Sequence, residues 1–456
     1  MPKTDQPSGA TQSTTLPDDG AALLRSVQFV DAELRRLEHQ AAILRTARHA
    51  YGERLTALGI AVPAGHAGAA PAVPQPLSEA PATAAPPQAP KVLLVTHDWS
   101  TLAEMAWLAK QAGCQVHVLC PHNNAAIKNS FHDRWFDSGP TLDTLLAALR
   151  ALAGQRSYQY ILIGDDPILW RIYRDRLEDL WPLLPILDHA ALPMLGKAGF
   201  AALCRDHGVS SPRFEVVTRA AEAPAALQSL GLPVVVKENY SNGGAGVRIF
   251  RDAPAYAQCM AAYDYAEPLL VQQFIDGELL SMDALFKRGK LLQYACAVDV
   301  EPTLGPSTKR RYFPNDEPIG ALLRRLGQAA TLHGFANISI LRERDSQRCY
   351  LIEADPRPTK WVSCTRWFGH DIVAAFRAFL AGDDADVEVP EADYAAVDCW
   401  EVEYFPNHLA KLLNEGRTQE AILHLLDFKR NARHTIYDPV LLEEKMDCIR
   451  RGLRFT

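Results

Sequence analysis

Cys349-Tyr-Leu-Ile-Glu-Ala-Asp-Pro-Arg357 is a short apolar strand that ends in two carboxylates one residue apart, a proline and an arginine. Upstream lies a second run, Phe335-Ala-Asn-Ile-Ser-Ile-Leu341, and the charged residues 342–348 between them read as the turn of a hairpin. Side chains alternate along a strand, so Glu353 and Asp355 share one face, with Arg357 following on the same side. Asn337 and Ser339 line a face of the partner strand, while Ile338, Ile340, Tyr350 and Ile352 are expected on the other side. Carboxylates at this spacing on a partly buried face repel each other unless a cation neutralises them. Hard oxygens beside phosphates suit Mg²⁺. The competing reading is an acidic strand end that faces solvent.

Two upstream elements favour the metal. The strand Leu232-Pro-Val-Val-Val-Lys237 runs into Ser241-Asn242-Gly243-Gly244-Ala245-Gly246 and resumes as Val247-Arg-Ile-Phe250. This describes a hairpin with a glycine-rich tip, in which backbone N–H groups can approach anionic oxygens and Lys237 adds a point charge. Such a tip is often only a turn. It is neither a Walker A loop, since no Gly-Lys-Ser/Thr follows, nor a dinucleotide fingerprint, since no helix follows. The stretch Leu269-Leu-Val-Gln272-Gln273-Phe274-Ile275-Asp-Gly-Glu278 is a strand with a bend at Gly277. A hinge of this kind offers aliphatic walls, backbone groups and a side-chain acceptor to an adenine, and an acid to ribose hydroxyls.

Together, and in this order, these elements resemble the ATP-grasp superfamily over residues 192–380. The resemblance implies ATP and Mg²⁺ as cofactors. It makes Lys197 and Lys237 the two ATP-binding lysines and residues 241–246 the phosphate-covering loop. It sets Gln272 and Gln273 where the family has an adenine-facing acceptor, usually Glu, Ile275 at the backbone contact, and Glu278 as the ribose acid. Glu-Ala-Asp-Pro-Arg357 is similar to the family's Glu-x-Asn-Pro-Arg signature, which gives Glu353 and Asp355 metal roles and Arg357 a role at the transferred group. Ser339 stands where another acidic or Gln ligand is usual. The function implied is an ADP-forming ligase that activates a carboxylate as an acyl phosphate and passes it to an amine. A small-molecule kinase on the same fold and a non-catalytic ATP-binding scaffold are the alternatives.

Lys91-Val-Leu-Leu-Val-Thr96, a helix over residues 100–112, the strand at residues 115–119, a helix over residues 142–152 and the strand at residues 160–166 alternate as a parallel α/β sheet. This region, residues 91–190, resembles the substrate domain that precedes the ATP-grasp domain of residues 191–390, itself expected as two α+β subdomains. His97, Asp98, Asp165 and Asp166 fall at strand ends, where they contact substrate or cap helices. Lys309, Arg310 and Arg311 read as a basic cluster in a loop, either meeting a substrate carboxylate or the γ-phosphate, with Arg310 as the catalytic candidate, or simply solvated. Trp361, Arg366, Trp367 and His370 line the acceptor side or pack as core. Residues 391–456 match no known element.

Residues 1–20 lack periodicity and read as disordered. Leu23, Val27, Val30, Leu34, Leu37, Ala41, Leu44, Tyr51, Leu55 and Leu58 then follow heptad spacing, which implies a coiled-coil helix over residues 21–60 that drives homo-oligomerisation or packs on the chain's own body. The Pro/Ala-rich residues 61–90 form a linker. A net charge of −7 with scattered Lys and Arg gives no footprint for nucleic acid. Neither a membrane span nor a signal peptide is visible, so the expected compartment is cytoplasmic and the partners are small molecules. Nine cysteines without a Cys-x-x-Cys pair read as core residues.

Overall fold

Short Val- and Leu-rich runs build the first sheet of this computed structural model, which describes residues 89–97, 102–122, 124, 127, 129–155, 157–241, 243–300, 307–382, 388–405 and 407–427. The heptad helix, Asp98 and Asn242 lie outside the described residues. Strands β1 (Lys91–Val95), β2 (Gln115–Cys120), β3 (Arg134–Asp137) and β4 (Tyr160–Ile163) pair in parallel in the order β3-β2-β1-β4. Helix α1 (Leu102–Gln111) follows β1, and α2 (Leu142–Gly154) follows β3. Thr141 caps α2 by accepting from the Thr144 N–H at 3.2 Å. Strand β3 was not legible in the sequence, because Arg-Trp-Phe-Asp has no apolar alternation. The β4 run stops at Ile163, earlier than expected, and Asp166 opens α3 (Asp166–Arg174) with Pro167 in the first turn, where a missing N–H costs nothing.

Helix α4 (Lys197–Asp206) leads into a second sheet. It contains β5 (Phe214–Val217), β6 (Val234–Glu238), β7 (Val247–Phe250) and β8 (Leu269–Gln273), antiparallel in the order β5-β8-β6-β7, with α5 (Ala223–Leu230) and α6 (Ala253–Ala262). Period-two alternation sends Val217, Val234, Val236, Leu269 and Val271 against Leu230, Tyr256 and Met260 of those helices. The opposite face of the sheet carries Lys237 and Gln272.

The third sheet is the largest. Strands β9 (Gly277–Lys287), β10 (Lys290–Asp299), β11 (Lys309–Phe313), β12 (Gly334–Glu343), β13 (Cys349–Asp355) and β14 (Glu401–Glu403) are antiparallel in the order β13-β12-β9-β10-β11-β14. Leu280, Met282 and Phe286 of β9 pack with Ile338 and Ile340 of β12 and Leu323 of α7 (Glu317–Ala330) in one core. Each such fully buried side chain contributes about 1.5–3 kcal/mol. The other face is polar at one end, beside the buried aromatics Tyr312, Trp361, Phe368 and Tyr404. Helix α8 (Ile372–Leu380) packs on the first sheet through Phe376 and Phe379. The segment past residue 391 adds β14 to the sheet edge by pairing with β11, then forms α9 (Asn407–Asn414) and α10 (Thr418–Leu426). Among the described residues no helix is long and apolar enough to cross a membrane. None of the cysteines there forms a disulfide, and Cys114, Cys120, Cys204, Cys296, Cys349 and Cys364 are buried.

Candidate functional site

The hairpin forms as expected, and its register sets Asn337 opposite Asp355 and Ser339 opposite Glu353. The expected alternation along β13 needs one correction. The ladder jumps from Ser339–Glu353 to Ile340–Leu351, which leaves Ile352 as the extra residue of a β-bulge. Cys349, Leu351 and Ala354 join Ile338 and Ile340 in the core, whereas Tyr350 and Ile352 are half-buried outside it. Without the bulge, Glu353 and Asp355 would follow Leu351 into the core. The single inserted residue turns both carboxylates onto the polar face.

Two lysines from other elements converge there. Lys197, the first residue of α4, places Nζ 3.1 Å from Glu353 Oε1 and also donates to the Ser241 carbonyl. Lys237 of β6 donates to the Ile352 carbonyl at 3.3 Å. Burial lowers Lys237 to about 8, with Glu353 opposing that shift and Lys197 adding to it. Asn239 ties the loop to α4, because its carbonyl accepts from the Lys197 N–H at 3.1 Å and its Oδ1 from the Ala198 N–H at 3.0 Å. The tip turns at Gly243 (φ +57°) and Gly244 (φ +78°), while a Cβ on Gly246 would lie 2.5 Å from Ser241 Oγ. Ala245 sits between them, exposed in the same turn.

At the hinge the structure separates residues that the sequence grouped. Gln272 is buried and pairs with Val235, two residues before Lys237 on the same face of the small sheet. Its Nε2 is buried and has no hydrogen-bond partner. Gln273 projects from the helix-covered face and accepts from Arg213 Nε at 3.2 Å, so its side chain leaves the site. Phe274 lies under the Arg251 guanidinium at 5.1 Å. Ile275 is buried, and Glu278 is exposed at the start of β9.

The same two-residue period corrects the basic cluster. Residues 309–311 form β11 rather than a loop, and they alternate. Lys309 and Arg311 bond Glu403 and Glu401 at 2.9 and 2.7 Å. Arg310 alone turns to the polar face, bonding Asp299 at 2.9 Å, Asp283 at 3.1 Å and Ser281 Oγ at 2.8 Å, with Trp361 beneath its guanidinium at 4.7 Å. Burial alone would lower Arg310, but Asp283 and Asp299 outweigh it and hold the charge. Trp361 and His370 are buried core residues, and Arg366 stacks on Trp107 at 3.9 Å.

Arg357 is held by Asp166 through two 2.7 Å bonds and by Asp355 at 3.0 Å. Burial and the Asp166 carboxylate push Asp355 well above the usual carboxylate range, against the pull of Arg357. Lys197, Lys237 and Arg357 supply the positive charge around this face. Glu353, Asp355 and Ser339 offer only hard oxygens, a donor set that fits a divalent ion such as Mg²⁺. Sequence reasoning missed the Arg357 partnership of Asp166 and the role of Asp283. A lone acid between Met282 and Ala284 in a buried strand was the available signal for the second. His97 and Asp165 are spent locally, since Asp165 accepts from Thr96 Oγ1 at 2.7 Å and from the His97 N–H at 2.5 Å.

Residues 202–301 match the family model described as ATP-grasp domain. Phosphoribosylamine–glycine ligase of Leifsonia xyli subsp. xyli is 31% identical over 177 residues, which cover 37% of this chain and 42% of that protein. The carbamoyl phosphate synthase large chain of Micrococcus luteus is 26% identical over 383 residues, covering 75% of this chain and 33% of that protein. The chain thus spans less than half the length of either relative. Among solved structures, the ADP complex of N5-carboxyaminoimidazole ribonucleotide synthetase superposes with a TM-score of 0.55 at 15% identity, over 72% of this chain and 86% of that one. The biotin carboxylase domain of Hydrogenobacter thermophilus 2-oxoglutarate carboxylase, solved with MgADP and bicarbonate, gives 0.55 at 18% identity over 67% and 73%. At such identities the likeness is one of fold. With the family match at residues 202–301 and the two antiparallel sheets that bring Lys237 and Glu353 together, the chain carries a region that matches the ATP-grasp domain and shares its fold with these solved structures.

Proposed function

We propose that this protein is an ADP-forming ligase that joins a small-molecule carboxylate to an amine through an acyl phosphate. The observation that carries the reading is the convergence of Lys197, Lys237, Glu353, Asp355 and Arg357 between the two antiparallel sheets. ATP lies in that cleft, its adenine at Gln272, Phe274 and Ile275, where the unpartnered Gln272 amide meets a ring acceptor, and its ribose at Glu278. Gln273 contributes its backbone only. Lys197, Lys237 and the loop of Ser241, Asn242, Gly243, Gly244, Ala245 and Gly246 offset the phosphate charge. Glu353, Asp355 and Ser339 would hold Mg²⁺, which would supply charge neutralisation to the polyphosphate.

The substrate carboxylate oxygen attacks the γ-phosphorus, and the bond to the β-phosphate oxygen breaks to release ADP. Arg357 stabilises charge on the transferred group, and Arg310 binds the acid. The amine nitrogen then attacks the acyl carbon, phosphate departs with the bond pair, and the nitrogen loses a proton to give the amide. The test supplies an acid labelled with oxygen-18 in its carboxylate, together with an amine. ADP and one labelled oxygen in the released phosphate are expected. AMP with pyrophosphate, or phosphate free of the label during amide formation, would overturn the acyl-phosphate step. A phosphorylated product that survives acid would make the protein a kinase.

A further inference from the structure

We propose that Glu403, His408 and His424 form a divalent transition-metal site, with Zn²⁺ as the fitting ion, that clamps α9 and α10 to the outer edge of the large sheet. One ligand atom from each residue lies within 4.8 Å of the others, and both histidines are buried. The three come from three different elements, β14, α9 and α10, so the site ties together three separate segments. These two helices are eight and nine residues long and leave Leu413, Ile422, Leu423 and Leu426 exposed. Two imidazoles thus occupy buried positions where an ordinary helix pair would place aliphatic side chains. A short helix pair whose buried face includes two imidazoles gains from a metal staple.

The surrounding contacts suit ligation. Thr308 Oγ1 lies 3.0 Å from His408 Nδ1, which fixes the ring and directs ligation through Nε2. Glu403 Oε1 meets Lys309 Nζ at 2.9 Å, and Oε2 meets His424 Nδ1 at 2.8 Å. Lysine on the outer oxygen is a second partner for a ligating carboxylate, and Oε2 is the oxygen turned to the cluster. Zn²⁺ bonds of about 2.0–2.2 Å set tetrahedral ligand atoms roughly 3.3–3.5 Å apart, so the Glu403–His424 contact opens by about half an ångström while His408 closes in. Two nitrogens and one oxygen are the donor set of borderline ions, in contrast to the all-oxygen face at Glu353 and Asp355. The cluster lies across β11 from that face, because Lys309 points to it and the next residue, Arg310, points to the nucleotide side. Its role is therefore structural, holding the strand that presents Arg310.

Full-length protein stripped by chelation is titrated with Zn²⁺ in excess Mg²⁺, alongside His408→Gln, His424→Gln and Glu353→Gln. One equivalent per chain is expected for wild type and for Glu353→Gln, with binding at least about tenfold weaker in either histidine variant. The wild-type melting temperature should rise with Zn²⁺ and that of His408→Gln should not. No stoichiometric binding by wild type, or a wild-type isotherm in His408→Gln, overturns the site. Co²⁺ loaded into wild type keeps the test open where a variant misfolds. Absorption typical of four-coordinate nitrogen and oxygen ligation supports the proposal, whereas thiolate charge-transfer bands or a six-coordinate spectrum refute it.

Discussion

Lys237 is held between opposing influences that set its protonation. Burial favours the neutral amine and brings it to about 8, while Glu353 favours the ammonium. The phosphate site needs the charged form, which prevails below that pH and is lost above it. The rate constant kcat/KM for ATP, which reports the free enzyme, should therefore fall as pH rises through about 8. Lys237→Arg should move that fall out of the accessible range, and Lys237→Ala should lower kcat/KM by about a hundredfold at pH 7. A flat profile in wild type would remove Lys237 from phosphate binding. Lys237 was legible because a lysine ending a valine run before a glycine tip is locally distinctive. Asp283 and Asp166 were less so, since what defines each is a partner far along the chain. Arg357 lies 191 residues from Asp166.

At the scale of elements, the hairpin of β12 and β13 shows how far a period of two carries. It correctly gave Glu353 and Asp355 one face with Asn337 and Ser339 across the hairpin, and it failed where the bulge at Ile352 inserts one residue. A bulge has no residue signature in Leu-Ile-Glu; it follows from packing Leu351 inward while keeping two acids out. It was also alternation, applied to β11, that separated Arg310 from its neighbours once the segment proved to be a strand. Deleting Ile352 should remove the bulge and leave Leu351, Glu353, Ala354 and Asp355 in unbroken alternation, so the variant should fold with both acids still on the polar face. Circular dichroism on that variant reports it directly, and loss of the native melting curve would refute the account. Glu353→Gln and Asp355→Asn keep the shape and remove charge, so each should raise the Mg²⁺ concentration at half-maximal rate by about tenfold or more. Titration curves that coincide with wild type in both variants would place the metal elsewhere.

At the scale of the whole chain, the parallel sheet and several strands of the sheets that follow it were legible in the sequence, because each rests on local periodicity. The heptad segment over residues 21–60 carries its own expected outcome. A chain starting at Lys91 should lose oligomeric mass by light scattering while retaining turnover, and an unchanged mass would exclude the helix as the assembly element. The contact that sequence could not supply is the one between the parallel sheet and the end of β13. Asp166 opens α3 at the end of β4 and grips Arg357, just past the end of β13, through two buried 2.7 Å bonds. Arg357 also bonds Asp355, so its charge is shared between a structural acid and the proposed metal ligand. Asp166→Asn would leave Arg357 to Asp355 alone, and the tighter pairing would compete with the cation for that carboxylate. The Mg²⁺ requirement should then rise by about tenfold, beyond any change in KM for ATP. Stability should fall as well, by up to about 3–5 kcal/mol if the guanidinium is left uncompensated. Restoring the acid with Asp166→Glu should recover part of the Mg²⁺ affinity, which a purely structural contact would not require. If Asp166→Asn lowers the melting temperature but leaves the Mg²⁺ titration unchanged, Asp166 only joins the domains and does not govern Arg357 at the metal site.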